Sequence, residues 1–383
     1  MTKQLIRLLL VTKSTGGVAA YIRMLVRNLD REKFKITVAC LSENGPEFAA
    51  ELKAEFGVSA FSLAMNRYKV NPLTDARVLF QLGSHIRRER YDLIHAHASK
   101  AGFLMRMAAI GTGVPVIYSP HNFAFHEGSK PLVARVVALL EALAANFTAK
   151  IITVAAHERD LALKYKVGKP GLYVVIPTGI DPSSYRLEVD VASLKESLGI
   201  PPSARVVGAV GRLAIPKLPN DFVRIAEILH RTYPDVHFVW VGDGPLEADA
   251  RQLTRELNLE NVIHWLGHRT DVSQLYKIFD CFVLLSRWEG NPLVILEAFA
   301  AGVPVVASDN LGAHELIGAG NHGILVPIGD VQTASSAIQK VLEQPEEANR
   351  MRLVALKQID DFYSLKTMIR SIEGVYLEKA MPL

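Results

Sequence analysis

The chain has 383 residues, of which 49% are hydrophobic and 21% charged, with a net charge of +4. That length holds two domains with separate cores, and that balance excludes a disordered or fibrous chain. The mild positive charge suits an anionic substrate or a membrane surface, but no basic run is interleaved with aromatics, which argues against nucleic acid as a partner.

The first element is MTKQLIRLLLVTK (1–13). Its apolar run is too short for a transmembrane span and lacks a small-residue cleavage site, so it reads as a β-strand. No other long uncharged stretch occurs, and a cytoplasmic protein is the expectation. Strand-like runs follow at 35–41, 92–96, 114–119, 150–154 and 172–177, and a second series at 205–211, 236–242, 281–286, 303–308 and 323–327. Continuous β-branched runs separated by helical segments predict parallel sheets wound on both faces. The fold class expected is α/β, with two Rossmann-like doubly wound domains facing across a cleft. The domains are taken as 1–180 and 181–360, with the boundary in the turn-rich IPTGIDPSSY (176–185) and a helical segment at 361–383 packing back across the first domain. Cys40 and Cys281 lie in strand-like runs and read as free buried thiols.

Ligands of such sheets sit beyond the carboxyl ends of the strands, so the post-strand loops carry the candidate residues. After the first strand, VTKSTGGVAAYI (11–22) sets Gly16-Gly17 at a helix start, open either to close approach by a ligand or to a plain tight turn. It is neither a full dinucleotide fingerprint nor a Walker loop. HAHASKAG (95–102) and SPHNFAFH (119–126) each follow a strand. His95 and His97 alternate across a strand end, need not share a metal, and have no third ligand; a structural role suits His95. His97 or His121 could orient or polarise a hydroxyl, with His121 preferred. The segment 130–150, KPLVARVVALLEALAANFTAK, has basic ends and an apolar body. Its apolar positions are evenly spread, which favours a buried helix over a membrane contact. Arg67, Lys69, Arg87, Arg88 and Arg90 read as a solvated basic face.

In the second half, VGRLAIPKLPNDF (210–222) brings Arg212 and Lys217 onto one loop, where two cations could neutralise a leaving diphosphate, or simply be solvated. No Asp-x-Asp metal clamp occurs, which favours neutralisation by side chains. GDGP (242–245) places Gly242 where a ligand could approach closely, and LGHRTD (266–271), with Gly267, could receive a flat base through backbone groups. RWEGNPLVILEA (287–298) has two acids around a Gly-Asn-Pro turn. Asn291 reads as the helix cap and Pro292 as the first helical residue, so the N–H groups of Leu293 and Val294 form an anion site. Glu289 and Glu297 would accept hydrogen bonds from hydroxyls on either side of a phosphate, although a capped helix with a solvated Glu297 also fits.

Together these segments resemble the retaining glycosyltransferases of GT-B fold called family 4, over nearly the whole chain. The strongest likeness is SRWEGNPLVILEAFAAGVPVVASDNLGAHELI (286–317), similar to that family's E-x7-E signature; AVGRLAIPK, VGDGP, NVIHWLGH, VIPTGID and the GG loop follow the same order. HAHASKAGF and PHNFAF look like the branch that builds bacterial surface polysaccharides and glycolipids. The resemblance implies a metal-independent enzyme without a cofactor that moves a hexosyl or N-acetylhexosaminyl group, with retention, from a nucleotide sugar to a polysaccharide or lipid-linked acceptor. A UDP-sugar is favoured over a GDP-sugar. It implies that Arg212 and Lys217 bind the diphosphate, Glu297 the ribose and Glu289 the donor sugar. The amides of Leu293 and Val294 would meet the distal phosphate, Gly17 would approach the donor, and His121 would lie near sugar and acceptor. Peripheral contact with the inner face of a membrane fits the same implication. The family usually has Gly after the phosphate-binding lysine, where this chain has Leu218; a Leu resists positive φ, so a differently shaped loop is expected. A sugar-nucleotide epimerase or hydrolase, or a binding subunit without turnover, are the alternatives on this scaffold.

Overall fold

The computed structural model describes residues 5–14, 16–66, 71–125, 129–318 and 322–380. The chain divides into two compact units, Met1–Pro177 with Met368–Leu383, and Thr178–Thr367. Arg67, Lys69 and His126 lie outside the described residues.

In the first unit the strands are β1 (Ile6–Thr12), β2 (Phe34–Leu41), β3 (Ser59–Leu63), β4 (Leu93–His97), β5 (Val116–Ser119), β6 (Lys150–Thr153) and β7 (Tyr173–Val175). The helices between them are α1 (Gly16–Asn28), α2 (Gly45–Phe56), α3 (Pro72–Glu89), α4 (Ser99–Ala108), α5 (Pro131–Ala145) and α6 (Ala156–Lys164). The sheet order is β3-β2-β1-β4-β5-β6-β7, all parallel, with Ile6 opposite Phe34 and Leu8 opposite Leu93. Leu8 to Val11 are fully buried because helices cover both sheet faces. On one face Val78, Leu82 and Ile86 of α3 pack with Leu104 and Met105 of α4.

The second unit contains α7 (Val191–Ser197), β8 (Arg205–Val210), α8 (Pro219–Thr232), β9 (Val236–Val241), α9 (Glu247–Glu256), β10 (Ile263–Trp265) and α10 (Val272–Leu275). It continues with β11 (Cys281–Leu284), α11 (Leu293–Ala301), β12 (Val305–Ser308), α12 (Leu311–Ile317), β13 (Ile324–Val326), α13 (Val331–Glu343) and α14 (Pro345–Asp361). Its parallel sheet runs β10-β9-β8-β11-β12-β13. α11 is apolar on nearly every side because Ile295, Leu296 and Phe299 are all enclosed in one core cluster. Gly302 ends it in the left-handed region at φ 75°, a conformation that costs glycine nothing. The last helix, α15 (Leu365–Ala380), leaves the second unit and belongs to the first from Met368 onward.

Each sheet changes direction once, between β1 and β4 and between β8 and β11. At such a switch point the neighbouring connections leave to opposite faces, and a crevice opens beyond the strand ends. The candidate loops follow these strands. Two strands, β3 and β10, escaped the sequence reading; both are sheet edges, where Ser59 is exposed and His264 and Trp265 are only partly covered. Both are short and only partly covered, so neither carries a continuous buried apolar run. Cys40 and Cys281 are buried free thiols, as expected.

Candidate functional site

In the second unit, the loop after β8 carries Arg212 and Lys217, and the loop after β11 carries Glu289. The two loops are joined twice. The Arg287 N–H donates to the Pro216 carbonyl at 2.8 Å, and the Lys217 ammonium meets Glu289 Oε1 at 2.5 Å. Both side chains of this ion pair are mostly covered, at 18% and 16% exposure. An ammonium has three donors, so the pair leaves two for another acceptor. Arg212 is exposed and has no hydrogen-bond or ionic partner among the described residues.

α11 starts beside this pair. The N–H groups of Leu293 and Val294 have no partner among the described residues, as the first turn of a helix requires unless it is capped. Glu297, a turn further on, is partly buried. The Tyr276 hydroxyl lies 2.9 Å from Glu297 Oε2 and 3.1 Å from the Val294 carbonyl. Burial pushes the Glu297 carboxyl above the usual range, while hydrogen bonds from Tyr276 and Tyr185 and the charge of Lys217 pull the other way. Lys217 thus serves both acids, bound to one and felt by the other. Anion donors and carboxylate acceptors alternate at one strand-end crevice, which suits a ligand alternating phosphates with hydroxylated rings.

The glycines at this edge divide into two kinds. A Cβ on Gly242 would sit 2.3 Å from the Gly211 carbonyl oxygen, and one on Gly244 2.3 Å from that of Leu213. These two are required by the loop carrying Arg212, so the room at Gly242 is taken by the backbone of Gly211. Gly267 stands at φ 64° with open space around its Cβ position, and its carbonyl accepts from the Gly242 N–H at 2.7 Å.

In the first unit, Gly16 and Gly17 open α1 with nothing near either Cβ position. His121 follows β5 at φ 50°, on the rim of a cavity also lined by Lys13, Met65, Ser99, Lys100 and Asn122. Its Nε2 lies 2.9 Å from His97 Nδ1, and the Tyr21 ring stands edge-on at 4.6 Å. His95 bridges the Tyr376 hydroxyl at 2.5 Å and the Ser119 hydroxyl at 2.9 Å. Burial pushes the His121 imidazole down to about 3, helped by the Lys13 charge, and takes His95 and His97 well below their ordinary value. All three are therefore neutral near pH 7, able to pass or accept a hydrogen bond but not to act as cations.

The comparisons with known proteins agree with this division. The sequence model described as glycosyl transferase 4-like domain matches residues 16–179, and the one described as glycosyl transferases group 1 matches 190–358. The UDP-Gal:alpha-D-GlcNAc-diphosphoundecaprenol alpha-1,3-galactosyltransferase of Escherichia coli is 31% identical, over 91% of this chain and 90% of its own length. The chain belongs to the group 1 glycosyltransferases. Solved structures share its fold: HepE of Anabaena with UDP and glucose, at TM-score 0.81, 23% identity and coverage of 97% of this chain and 100% of that one. A glycosyltransferase from Rickettsia africae reaches TM-score 0.86 at 18% identity, covering 99% and 100%. These likenesses establish the GT-B fold.

Four expectations for this glycosyltransferase need correction. Asn291 does not cap α11: Pro292, extended at ψ 96°, is the N-cap residue, and no side chain caps the helix. The helix starts one residue late, so Asn291 is too far out to reach its free N–H groups, and Asn291 Nδ2 is buried without a partner. Leu218 adopts the left-handed conformation at φ 48°, so the loop keeps the shape that glycine would give it. His95 and His97 do not point apart: residues two apart on a strand share a face, and their rings lie 3.9 Å from each other. Finally, α5 is not a buried helix. Its alanines, Ala134 and Ala138, face the core, while Leu132, Val136, Leu139 and Leu143 face outward.

Tyr185, Tyr276 and Tyr376 were not singled out from the sequence. No motif marks them, since a buried tyrosine in an apolar segment reads as core until its hydroxyl's partner is seen. Among the described residues no group of acids, histidines or cysteines could hold a metal ion, and no helix is long and apolar enough to cross a membrane.

Proposed function

We propose that this glycosyltransferase moves a hexose from a UDP-sugar to a lipid-linked acceptor at the cytoplasmic side of a membrane, with retention at the anomeric carbon and without a metal. The observation that carries the reading is the Lys217–Glu289 pair set against the free first-turn amides of α11. Lys217, Arg212 and those amides can together neutralise a diphosphate as the sugar leaves. Glu289 then accepts from the sugar's hydroxyls and Glu297 from the ribose. The tyrosines hold the Glu297 carboxylate ready, and Gly267 leaves room for the base. In the first unit, Gly16, Gly17 and His121 are the candidates for contact with sugar and acceptor, His121 through its neutral imidazole. The leaving phosphate takes the acceptor's proton, so the transfer needs no enzymic nucleophile.

UDP is favoured because the E. coli relative is named for UDP-Gal and the HepE structures hold UDP with glucose or UDP-glucose. A lipid-linked acceptor is favoured because that relative is named for a diphosphoundecaprenol substrate. The test is a thermal-shift panel of UDP- and GDP-sugars in excess chelator. A true donor at a hundred times its Kd stabilises the native state by about 2.7 kcal/mol. Stabilisation by a UDP-sugar in chelator is the expected result. Stabilisation only by GDP-sugars, or only with divalent metal, contradicts the reading.

A further inference from the structure

α5 presents its large side chains to solvent and its small ones to the core, the reverse of an ordinary surface helix. Leu132 is 75% exposed, Leu139 63% and Leu143 55%, and with Val136 they form one stripe at helical spacing. Leu140 and Phe147 widen it. What holds the helix in place is inside: Glu141 is buried and meets the buried Arg106 of α4 at 2.6 Å. The polar anchor therefore faces the protein, and the leucines face solvent.

α3 adds a second exposed row. Leu73 is 85% exposed and Phe80 77%, one heptad apart, with Arg77 between them. The connections β3–α3–β4, β4–α4–β5 and β5–α5–β6 all advance in one direction across the sheet, and such crossovers are right-handed, so α3, α4 and α5 share one sheet face. α4 packs against both neighbours and exposes no residue between Ala101 and Ala109, leaving α3 and α5 to form the surface. With helices about 10 Å apart and α5 about 22 Å long, the face measures roughly 20 Å each way.

The charges decide what it meets. The exposed charged residues of the two helices and their caps are Arg77, Arg87, Arg88, Arg90, Lys130 and Arg135, all basic. The acids of α3 are engaged, Asp75 by Lys100 at 2.8 Å and Glu89 by Arg88 at 3.0 Å. A second copy docked on this face about a two-fold axis would set arginines against arginines. A bilayer surface with anionic headgroups accepts leucines into its acyl boundary and arginines at its headgroups. We infer that the α3–α5 face docks the enzyme on an anionic lipid surface through the outward leucines of α5 and the arginines of α3.

This deepens the proposal of a lipid-linked acceptor, and the experiment separates the two by omitting donor and acceptor. The full chain is floated with vesicles of phosphatidylglycerol and phosphatidylethanolamine, and with phosphatidylcholine alone. Binding to the anionic vesicles is expected, weakened by salt and nearly absent on phosphatidylcholine. Leu139→Glu with Leu143→Glu should lower partitioning by roughly tenfold per leucine, and Arg77→Gln or Arg87→Gln by about fivefold each. Circular dichroism checks the fold of each variant; if the glutamates disturb it, Leu132→Gln with Val136→Ser test the same stripe. No vesicle binding, or binding that none of these changes weakens, overturns the inference. So does a dimer in sedimentation velocity that Leu139→Glu with Leu143→Glu dissolves, since a second copy would then own the face. Vesicle binding without any transfer to lipid-linked acceptors would leave this surface standing and remove the acceptor reading.

Discussion

Leu218 shows what a single residue can store. It holds φ 48° immediately before Pro219, a position where a proline ring already crowds the preceding residue. A side chain in the left-handed region costs roughly 1–2 kcal/mol. Leu218→Gly and Leu218→Ala lose the same packing contacts, but only glycine escapes the strain. The glycine variant should be more stable than the alanine variant by about 1 kcal/mol in urea denaturation; equal stabilities would mean that the loop carries no strain. At the donor site, Glu297→Ala should weaken UDP binding by about 10- to 100-fold in calorimetry, the worth of hydrogen bonds to a charged group. Arg212→Ala should lower turnover by roughly 10²-fold with a smaller effect on donor affinity. If both variants bind and turn over like the parent, these residues do not form the site. The positions of Glu289 and Glu297 were legible in the sequence, because the strand before them and the Asn-Pro turn place one in the loop and the other in the helix. Tyr276 was not, because the carboxylate its hydroxyl meets stands 21 residues away in the chain.

At the scale of elements, the inner parallel strands announced themselves by continuous apolar runs, since they are covered on both faces, and β3 and β10 did not. α5 did not, because composition reports how apolar a helix is and not which way it turns. Its evenly spread apolar residues fit a buried helix equally well until Glu141 is seen to point inward, where it also accepts from the Tyr118 hydroxyl at 3.1 Å. That anchor is testable. Glu141→Ala leaves the Arg106 guanidinium buried without its counter-charge and should cost about 3–5 kcal/mol. Replacing both partners with apolar residues, Arg106→Met with Glu141→Leu, should recover most of the loss. A loss below 1 kcal/mol for Glu141→Ala, by circular dichroism in urea, would show that the pair does not anchor the helix.

For the whole molecule, two units of similar architecture divide the work, and acid should reveal them separately. His95, His97 and His121 in the first unit are kept neutral by burial, so below pH 6.5 the unfolded chain binds protons that the folded chain refuses. Stability from these groups is complete above that value and is lost as the pH falls toward 3. At pH 5 His121 alone costs about 2 kcal/mol, and His95 and His97 act in the same direction. His237 and His264 in the second unit shift the same way but are only partly covered, and Glu297, shifted upward, opposes them. All three tryptophans, Trp240, Trp265 and Trp288, belong to the second unit. Between pH 7 and 5 the urea midpoint seen by circular dichroism should therefore fall further than that seen by tryptophan fluorescence; equal shifts would contradict this. The central claim, retaining transfer without metal from a UDP-sugar, is tested most directly by the product. The enzyme is incubated in excess chelator with a UDP-α-hexose and an N-acetylglucosaminyl-diphospholipid, and the new linkage is read by proton NMR. An α-configured product is the expected result, and a β-configured product, or no transfer until metal is restored, would contradict it.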